Sequence, residues 1–395
     1  MTGALSGLTV VELSSYVATP LCGMVLRQLG ADVIRVEPIG GAPDRGRMPL
    51  AADGTSLYWS GLNGGKQDMA VDLGSAEGQK IVADLVTGGS GILLANSDRY
   101  RGLSLAGLSA WRPDIIHVLL TGTRDGGNAV GYTVQAASGF AEVAGPRDAV
   151  GPTNSAAPGW DIAAGLYLAV GLLAALHERR ETGHGQQVRV ALEDVALAAA
   201  GLLGHLAEAQ LRGTERRRSG NEVYGTFGRD FVTADEVRFM VVVLTSGHWR
   251  RLLEATGLFD AMRGIEQALG ADFTEETQRF QYRGVIEALL EPWFARRNWL
   301  EVQGALESSR ALFGPYRSFH DLAAAALLRR YELFSEVDHL GAGRYLAPGS
   351  PPVMGDRLVG PEPAPRTGAD TGEVLARLGI GEDERARLFA EGHVA

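Results

Sequence analysis

The sequence is poor in cysteine and in lysine. Its 395 residues include one cysteine, Cys22, which excludes an internal disulfide and a Cys-X-X-Cys redox pair. Lysine occurs only as Lys66 and Lys80, so arginine supplies nearly all of the positive charge. The 37 basic and 47 acidic residues give a net charge of −10, which argues against a general affinity for nucleic acid or anionic membranes. An anionic ligand must therefore be held by local positive charge, mostly from arginines and backbone amides.

Signals for export and for membrane insertion are also missing. The first fifteen residues, MTGALSGLTVVELSS, do not have the basic and then apolar pattern of a signal peptide. The longest strongly apolar stretch, 162–176, is shorter than the roughly 20 residues that a membrane helix needs, and it predicts a buried helix. We therefore expect a cytoplasmic protein whose partners include neither a membrane nor nucleic acid.

Several catalytic and binding signatures are absent or incomplete. Residues 61–67 resemble a Walker A loop, but the spacing is one residue short and Gln67 replaces the hydroxyl residue that would ligate magnesium. The first strand–turn–helix segment has no Gly-X-Gly-X-X-Gly, and no HExxH or Gly-X-Ser-X-Gly occurs. These absences argue against an NTPase, a dinucleotide enzyme, a zinc enzyme and an α/β-hydrolase, and we expect no metal site.

Strand-like runs alternate with helical segments through the first part of the chain. Strands are predicted at 8–13, 32–36, 69–73, 92–95, 115–120 and 187–192, and helices at 20–29, 76–86, around 105–111 and at 195–211. This alternation predicts an α/β fold with a Rossmann-like parallel sheet and right-handed crossovers.

The rest of the sequence indicates a smaller domain inserted into the larger one. Residues 222–317 predict an α+β domain, with a strand at 237–244 and helices at 249–256, 283–294 and 300–306. Linkers are expected at 213–221 and 318–329. The large domain would then be built from both chain ends, 1–212 and 330–395, with a last short helix at 371–378.

One carboxylate has an unusual setting. Asp161 follows Pro158-Gly159-Trp160 at the mouth of the apolar helix, where helix-end amides and the macrodipole would keep it ionised, as a nucleophile requires. Aspartate is also a preferred N-cap, and on local sequence alone an ordinary cap is the favoured interpretation.

Four segments together resemble the family III CoA-transferases, also called the CaiB/BaiF family. They are LSGLTVVELSSYVATPLCGMVLRQLGADVIRVEP, LNGGKQDMAVDL, WDIAAGLYLAVGLLAALHERRETGHGQQVRVAL and PAPRTGADTGEVLARLGI, and the likeness is weakest between 213 and 317. The resemblance implies that Asp161 is a nucleophile that attacks an acyl-CoA thioester, giving a mixed anhydride and then an aspartyl-CoA thioester. It also implies an intertwined homodimer and the use of coenzyme A as part of the substrate, with no separate cofactor.

The same resemblance implies a set of coenzyme A contacts, most of them near strand ends, where open α/β sheets bind ligands. The set comprises Val17, Ala18, Lys66, Val71, Asp72, Leu73, Gly74, Asn96, Arg101 and Tyr132. Gln135 is the side-chain candidate beside Asp161, because each tetrahedral intermediate needs amide donors at its oxyanion. Arg45 and Arg47 are candidates for charge on the coenzyme A phosphates.

Further segments resemble one branch of the family, which moves coenzyme A between the C1 and C4 carboxyls of a single mesaconate. They are RDGG at 124–127, YT at 132–133, WDI at 160–162 and GNEVYGTFGRDF at 220–231. The substrate would be the CoA thioester of a small dicarboxylic acid. Arg124 and Arg229 are candidates for its carboxylate, because guanidinium binds carboxylate in bidentate fashion.

Three alternatives remain open. One is an intermolecular transferase between an acyl-CoA and a free acid, although the glycine run of its oxalate-linked members is absent from 225–317. Another is an α-methylacyl-CoA racemase, which by the same resemblance uses a histidine upstream of the aspartate. No histidine lies between His117 and His177, and the apolar strand pattern around His117 predicts a core position. The third is a CoA-binding scaffold without activity, against which Asp161 and the GHGQQV segment argue.

Overall fold

The computed structural model describes residues 3–324 and 326–395, which divide into two compact units. The first unit comprises 3–139, 155–211 and 326–395, and the second comprises 140–154 and 212–324. The sequence interpretation placed 140–154 in the large domain and began its last segment at 330. In the structure, 140–154 belong to the second unit and the last segment of the first unit begins at 326.

The strands and helices are numbered in chain order. The strands are β1 (Thr9–Leu13), β2 (Asp32–Glu37), β3 (Gln67–Ala70), β4 (Ile92–Ala95), β5 (Ile116–Thr121), β6 (Gln186–Ala191), β7 (Phe227–Val232), β8 (Arg238–Val243), β9 (Leu312–Pro315), β10 (Phe334–His339) and β11 (Gly343–Pro348). The helices are α1 (Ala18–Gln28), α2 (Leu57–Asn63), α3 (Ala76–Gly88), α4 (Leu105–Ser109), α5 (Gly131–Ala137), α6 (Phe140–Val143), α7 (Gly159–Thr182), α8 (Leu192–Leu202), α9 (His205–Arg212), α10 (Ser246–Thr256), α11 (Phe259–Leu269), α12 (Glu276–Gln281), α13 (Arg283–Ala295), α14 (Trp299–Ser309), α15 (Phe319–Ala324), α16 (Ala326–Arg330), α17 (Thr371–Arg377) and α18 (Glu382–Ala390).

A six-stranded sheet forms the centre of the first unit. Its strand order is β3-β2-β1-β4-β5-β6, and every neighbouring pair is parallel. This is the strand order of a Rossmann-type sheet, in which the order reverses between β1 and β4. The predicted parallel α/β sheet is confirmed.

Alternating residues of the strands face two different helical layers. Val10 and Val33 pack with Cys22 of α1 and Leu168 of α7, whereas Val11 and its neighbours pack with α3, α17 and α18. Burial of one such aliphatic side chain contributes about 1.5–3 kcal/mol, so both faces of the sheet stabilise the unit. The sheet is therefore covered on both sides, as a parallel sheet requires.

Helix α7 is longer and less enclosed than the sequence indicates. It runs for 24 residues and, by length and composition alone, could cross a membrane. One of its faces packs on α1, β5 and β6. The opposite face exposes Leu166, Tyr167 and Val170, so the prediction of a buried helix is right for one face only.

The second unit contains the antiparallel sheet β7-β8-β9 and the helices α10–α14. Strand β8 and helices α10, α13 and α14 correspond to the elements predicted there. Aromatic rings fill the core, with the ring centroid of Phe294 4.6 Å from that of Phe231 and 5.1 Å from that of Phe239. The unit is an α+β structure, as expected.

Candidate active site

Asp161 lies in the first turn of α7. The helix begins earlier than predicted: Pro158 is its N-cap and makes no side-chain capping bond, and Asp161 is the third helical residue. The interpretation of Asp161 as an ordinary N-cap is therefore wrong. Because α7 connects the parallel strands β5 and β6, its N-terminal end lies at the carboxyl edge of the sheet.

A narrow cleft surrounds the Asp161 carboxylate. It is lined by Gly131, Tyr132, Gln135, Ser155, Ala157, Pro158, Trp160 and Asp161. A Cβ atom at Gly131 would lie 1.9 Å from Oδ2 of Asp161, so only glycine leaves room for the carboxylate at this position. Gln135 thus lies in the same cleft as Asp161, where the sequence analysis expected it, and Tyr132, expected as a coenzyme A contact, lines that cleft as well.

The Gln135 amide is held in one orientation. Its Oε1 accepts a hydrogen bond of 2.5 Å from Nε1 of Trp160, the residue before Asp161. This bond occupies the acceptor end of the amide and leaves Nε2 as its donor end. A donor beside the nucleophile is the group that a developing oxyanion needs.

Burial raises the pKa of Asp161 above that of an ordinary aspartate. Its own backbone N–H and the Arg47 guanidinium act in the opposite direction, because both favour the charged form. The carboxylate is consequently less well solvated than on an open surface, and Arg47 is the cation that interacts with it.

Most of the predicted coenzyme A contacts follow the carboxyl ends of strands. Val17 and Ala18 begin α1 after β1, residues 71–74 follow β3, and Asn96 follows β4. Val17, Ala18, Val71 and Leu73 are buried and would present their backbones rather than their side chains. Arg101, in a short 3-10 turn at Arg101–Leu103, and Tyr132 are exposed.

A side-chain contact joins the two loops where the strand order reverses. Nδ2 of Asn96, after β4, donates to the carbonyl oxygen of Ser15, after β1, at 3.1 Å and approaches its Oγ at 3.2 Å. Ligands of open α/β sheets bind at this reversal point. Asn96 therefore links the two loops at this reversal point.

Lys66 is part of a buried ion network. Its Nζ lies 2.9 Å from Glu12 Oε2 and donates to the Pro20 carbonyl and to Asn63 Oδ1, and neither charged side chain is exposed. Burial lowers the pKa of Lys66 to about 8. In this structure the Lys66 ammonium neutralises Glu12 and offers no exposed charge to a coenzyme A phosphate.

Arg35 is the centre of the same network, and it has no exposed surface. Its guanidinium bonds to Glu37 at 2.7 Å and contacts Glu12 and both oxygens of Asp44 at 3.3 Å. Asp44 Oδ2 also accepts the backbone N–H of Tyr16, whose φ of 69° is unusual for a non-glycine residue. The loop after β1 is thereby tied to the buried charges.

Three of the predicted arginines are engaged with carboxylates. Arg124 pairs with Asp194 at 2.9 Å and is 84% exposed. Arg229 lies in the second unit and pairs with Glu287. Arg45 bonds Glu37 at 2.6 Å and Asp68 at 2.8 Å.

Tyr16 and Tyr58 are neighbours of Arg47 that the sequence did not single out. The guanidinium carbon of Arg47 lies 5.0 Å from the ring centroid of Tyr58 and 5.7 Å from that of Tyr16. One signal was available, because Tyr16 stands between the first strand and the first helix, where ligand-binding loops occur.

His117 is a core residue, as its sequence pattern predicts. It is 1% exposed on β5, and its Nδ1 lies 3.0 Å from Nε2 of Gln187. Burial lowers its pKa to about 4, so the ring is neutral near pH 7. Its partner and its burial give it a structural role rather than that of an exchangeable acid or base.

Comparison with known proteins gives concordant matches. The model of CoA-transferase family III matches residues 5–371. The chain is 44% identical to 2-methylfumaryl-CoA isomerase of Chloroflexus aurantiacus, over 100% of this chain and 98% of that protein. It is 28% identical to succinyl-CoA:mesaconate CoA-transferase of Haloarcula hispanica, over 96% of this chain and 97% of that protein. A CaiB/BaiF family protein from Brucella suis shares the fold, with a TM-score of 0.78 and 24% identity over 96% of this chain and 100% of that one.

Proposed function

The chain belongs to CoA-transferase family III, and from this premise we propose that it moves coenzyme A between the C1 and C4 carboxyls of mesaconate. Two observations support this substrate. The relative at 44% identity is named for the isomerisation of 2-methylfumaryl-CoA, which is the CoA thioester of mesaconate, and its likeness extends over the full chain. The relative at 28% identity is named as a transferase of CoA to mesaconate.

The proposed mechanism begins at Asp161, whose place in the cleft with Gln135 is the observation that carries it. A carboxylate oxygen of Asp161 attacks the thioester carbonyl, the C–S bond breaks, and CoA thiolate departs. The product on the enzyme is a mixed anhydride between Asp161 and mesaconate. The thiolate then attacks the aspartyl carbonyl and the anhydride C–O bond breaks. This step forms an aspartyl-CoA thioester and releases free mesaconate into the pocket. The C4 carboxylate of the same mesaconate then attacks that thioester, and the two steps run in reverse.

No net proton, electron or water enters this sequence. Each attack places negative charge on a carbonyl oxygen, which the Nε2 donor of Gln135 stabilises together with backbone amides of the first turns of α5 and α7. Coenzyme A is bound at the carboxyl edge of the sheet by the loops that contain Val17, residues 71–74 and Asn96. The experiment that tests the proposal is the conversion of mesaconyl-C1-CoA into the C4 ester by the purified protein.

We further propose that the protein acts as a homodimer. The exposed apolar face of α7 is accompanied by exposed Leu202, Leu203 and Leu206 on α8 and after it. An apolar surface of this kind is typical of an interface. Sedimentation of V170E beside the wild type tests this: the substitution places a charge on that face, and we expect it to shift the protein towards monomer.

A further inference from the structure

We propose that Arg47, with the Tyr58 hydroxyl, binds the carboxylate of the substrate that is not joined to coenzyme A. The inference rests on the proposed function and specifies which side chain holds the second carboxylate of the dicarboxylic acid. It replaces two earlier expectations: that Arg124 or Arg229 has this role, and that Arg47 serves the coenzyme A phosphates.

Arg47 follows the 3-10 turn Pro43–Gly46 and is exposed. Its carbonyl oxygen accepts a hydrogen bond of 2.5 Å from Ser56 Oγ, which ties its backbone to the residue that caps α2. Tyr58 is the second residue of α2, and its ring lies beside the Arg47 guanidinium. The backbones that carry Arg47 and Tyr58 are therefore fixed relative to each other, while the guanidinium remains accessible.

Arg47, Tyr58 and Asp161 form one electrostatic group. The Arg47 guanidinium lies against the Tyr58 ring. Burial and the Asp161 carboxylate raise the pKa of the Tyr58 phenol, whereas the Arg47 guanidinium lowers it. Asp161 in turn interacts with Arg47. The guanidinium carbon of Arg47 also lies 5.7 Å from the ring centroid of Tyr16, in the loop after β1, so Arg47 stands at the same carboxyl edge of the sheet as Asp161. A ligand whose thioester lies at Asp161 can therefore extend its second carboxylate towards Arg47.

The positive charge of Arg47 is not committed elsewhere. Within 3–324 and 326–395, no carboxylate oxygen lies within 4.0 Å of its guanidinium, in contrast to Arg45, Arg124 and Arg229. Its attraction for Asp161 is also weaker than the effect of burial, because the pKa of Asp161 remains raised. A cation beside the nucleophile without a close anionic partner is suited to an anionic substrate group.

The proposed reaction needs such a cation. When the C–O bond of the anhydride breaks, mesaconate is released from Asp161 as a dianion in a protein with a net charge of −10. The guanidinium can hold one carboxylate by two parallel hydrogen bonds while the other faces the aspartyl thioester, and it can accept either end. Arg47 transfers no proton and takes part in no covalent step; it retains and orients the diacid.

Binding measurements on two thioesters that differ in one group test this role. The second carboxylate of mesaconyl-C1-CoA is replaced by a methyl group in tiglyl-CoA, so the two esters share every other contact. We expect R47Q to raise the Kd of mesaconyl-C1-CoA by about 10- to 100-fold, because a charge-assisted hydrogen-bonded pair is lost. The Kd of tiglyl-CoA should stay within about twofold of the value measured with Arg47 present. R47K keeps the positive charge but not the planar guanidinium, so its Kd for mesaconyl-C1-CoA should lie between those of the wild type and R47Q.

The matched control is R180Q, an exposed arginine in the last turn of α7, for which both Kd values should remain those of the wild type. Equal weakening of both esters by R47Q would overturn the proposal in favour of phosphate binding, and unchanged binding of both would show that Arg47 contacts no part of the ligand. Unchanged tiglyl-CoA binding also shows that the variant is folded. All of these Kd values are measured in the D161A background, which binds the esters without converting them. A protein with Asp161 intact that forms no C4 ester would refute the proposed function and still leave the role of Arg47 measurable.

Discussion

The backbone N–H of Tyr16 donates a hydrogen bond of 2.9 Å to Oδ2 of Asp44. A left-handed backbone at a non-glycine residue costs of the order of 1–3 kcal/mol, so the φ of 69° at Tyr16 must be held by its surroundings. Asp44 is in turn fixed by the buried guanidinium of Arg35. The buried charges of Arg35 and Asp44 thus help to determine the shape of the loop that leads into Val17 and Ala18.

Replacement of Asp44 tests this coupling. D44A leaves Arg35 with one anionic partner fewer and removes the acceptor for Tyr16. Loss of one member of a buried ion network costs about 3–5 kcal/mol, which we expect as the fall in the free energy of unfolding in denaturant. The control is D84A, whose exposed pair with Lys80 is worth less than about 1 kcal/mol. Equal stability of D44A and wild type would show that the network does not support the loop.

Removal of the Asp161 carboxylate should separate binding from chemistry. D161A cannot form the mixed anhydride, so we expect no detectable CoA transfer and a Kd for the CoA ester close to that of the wild type. Chromatography of the CoA esters checks the loss of transfer, and calorimetry checks that the Kd is unchanged. Full activity in D161A would remove Asp161 from the mechanism.

The fit between Gly131 and Asp161 gives a third prediction. In G131A the new Cβ would overlap Asp161 Oδ2, so the carboxylate must move, and we expect kcat to fall by at least tenfold with little change in the far-ultraviolet circular dichroism. G264A is the control, because a Cβ at Gly264 in α11 meets nothing within 4 Å. An unchanged kcat in G131A would mean that the position of the carboxylate in the cleft is not critical.

The pH dependence of the reaction should reflect the raised pKa of Asp161. Only the carboxylate form attacks, so activity falls as the pH drops through that pKa, and the acid limb of kcat/KM should lie above the range of an ordinary aspartate. Arg47 favours the charged form, so its loss in R47Q raises the pKa further and moves the acid limb to higher pH. A limb at the same pH in both proteins would contradict the electrostatic contact between these residues.

The sequence allowed most of the sheet to be predicted, because its strands are short β-branched runs separated by glycines and amphipathic helices. The hairpin β10–β11 was missed, since SEVDH and GRYLAP contain too few alternating apolar residues to indicate strands. The start of α7 was placed too late because Pro158 and Gly159 resemble a loop, although proline is common at helix starts.

The electrostatic partners could not be predicted, because they are distant in sequence. Glu12 lies 54 residues before Lys66, and Asp194 lies 70 residues after Arg124. The chemistry of a lysine or an arginine suggests a phosphate or carboxylate ligand, but the fold decides which of them already has a partner. For the same reason, Arg47 acquires its significance only from its neighbours Tyr58 and Asp161.

Intramolecular transfer on mesaconate is measured most directly by incubation of the protein with mesaconyl-C1-CoA and isotope-labelled free mesaconate. The C4 ester and the label in both esters are followed together by liquid chromatography and mass spectrometry. We predict that the C4 ester forms without label, because the diacid stays bound while its ends exchange. Rapid uptake of label into the esters would contradict intramolecular transfer and indicate transfer between separate acids.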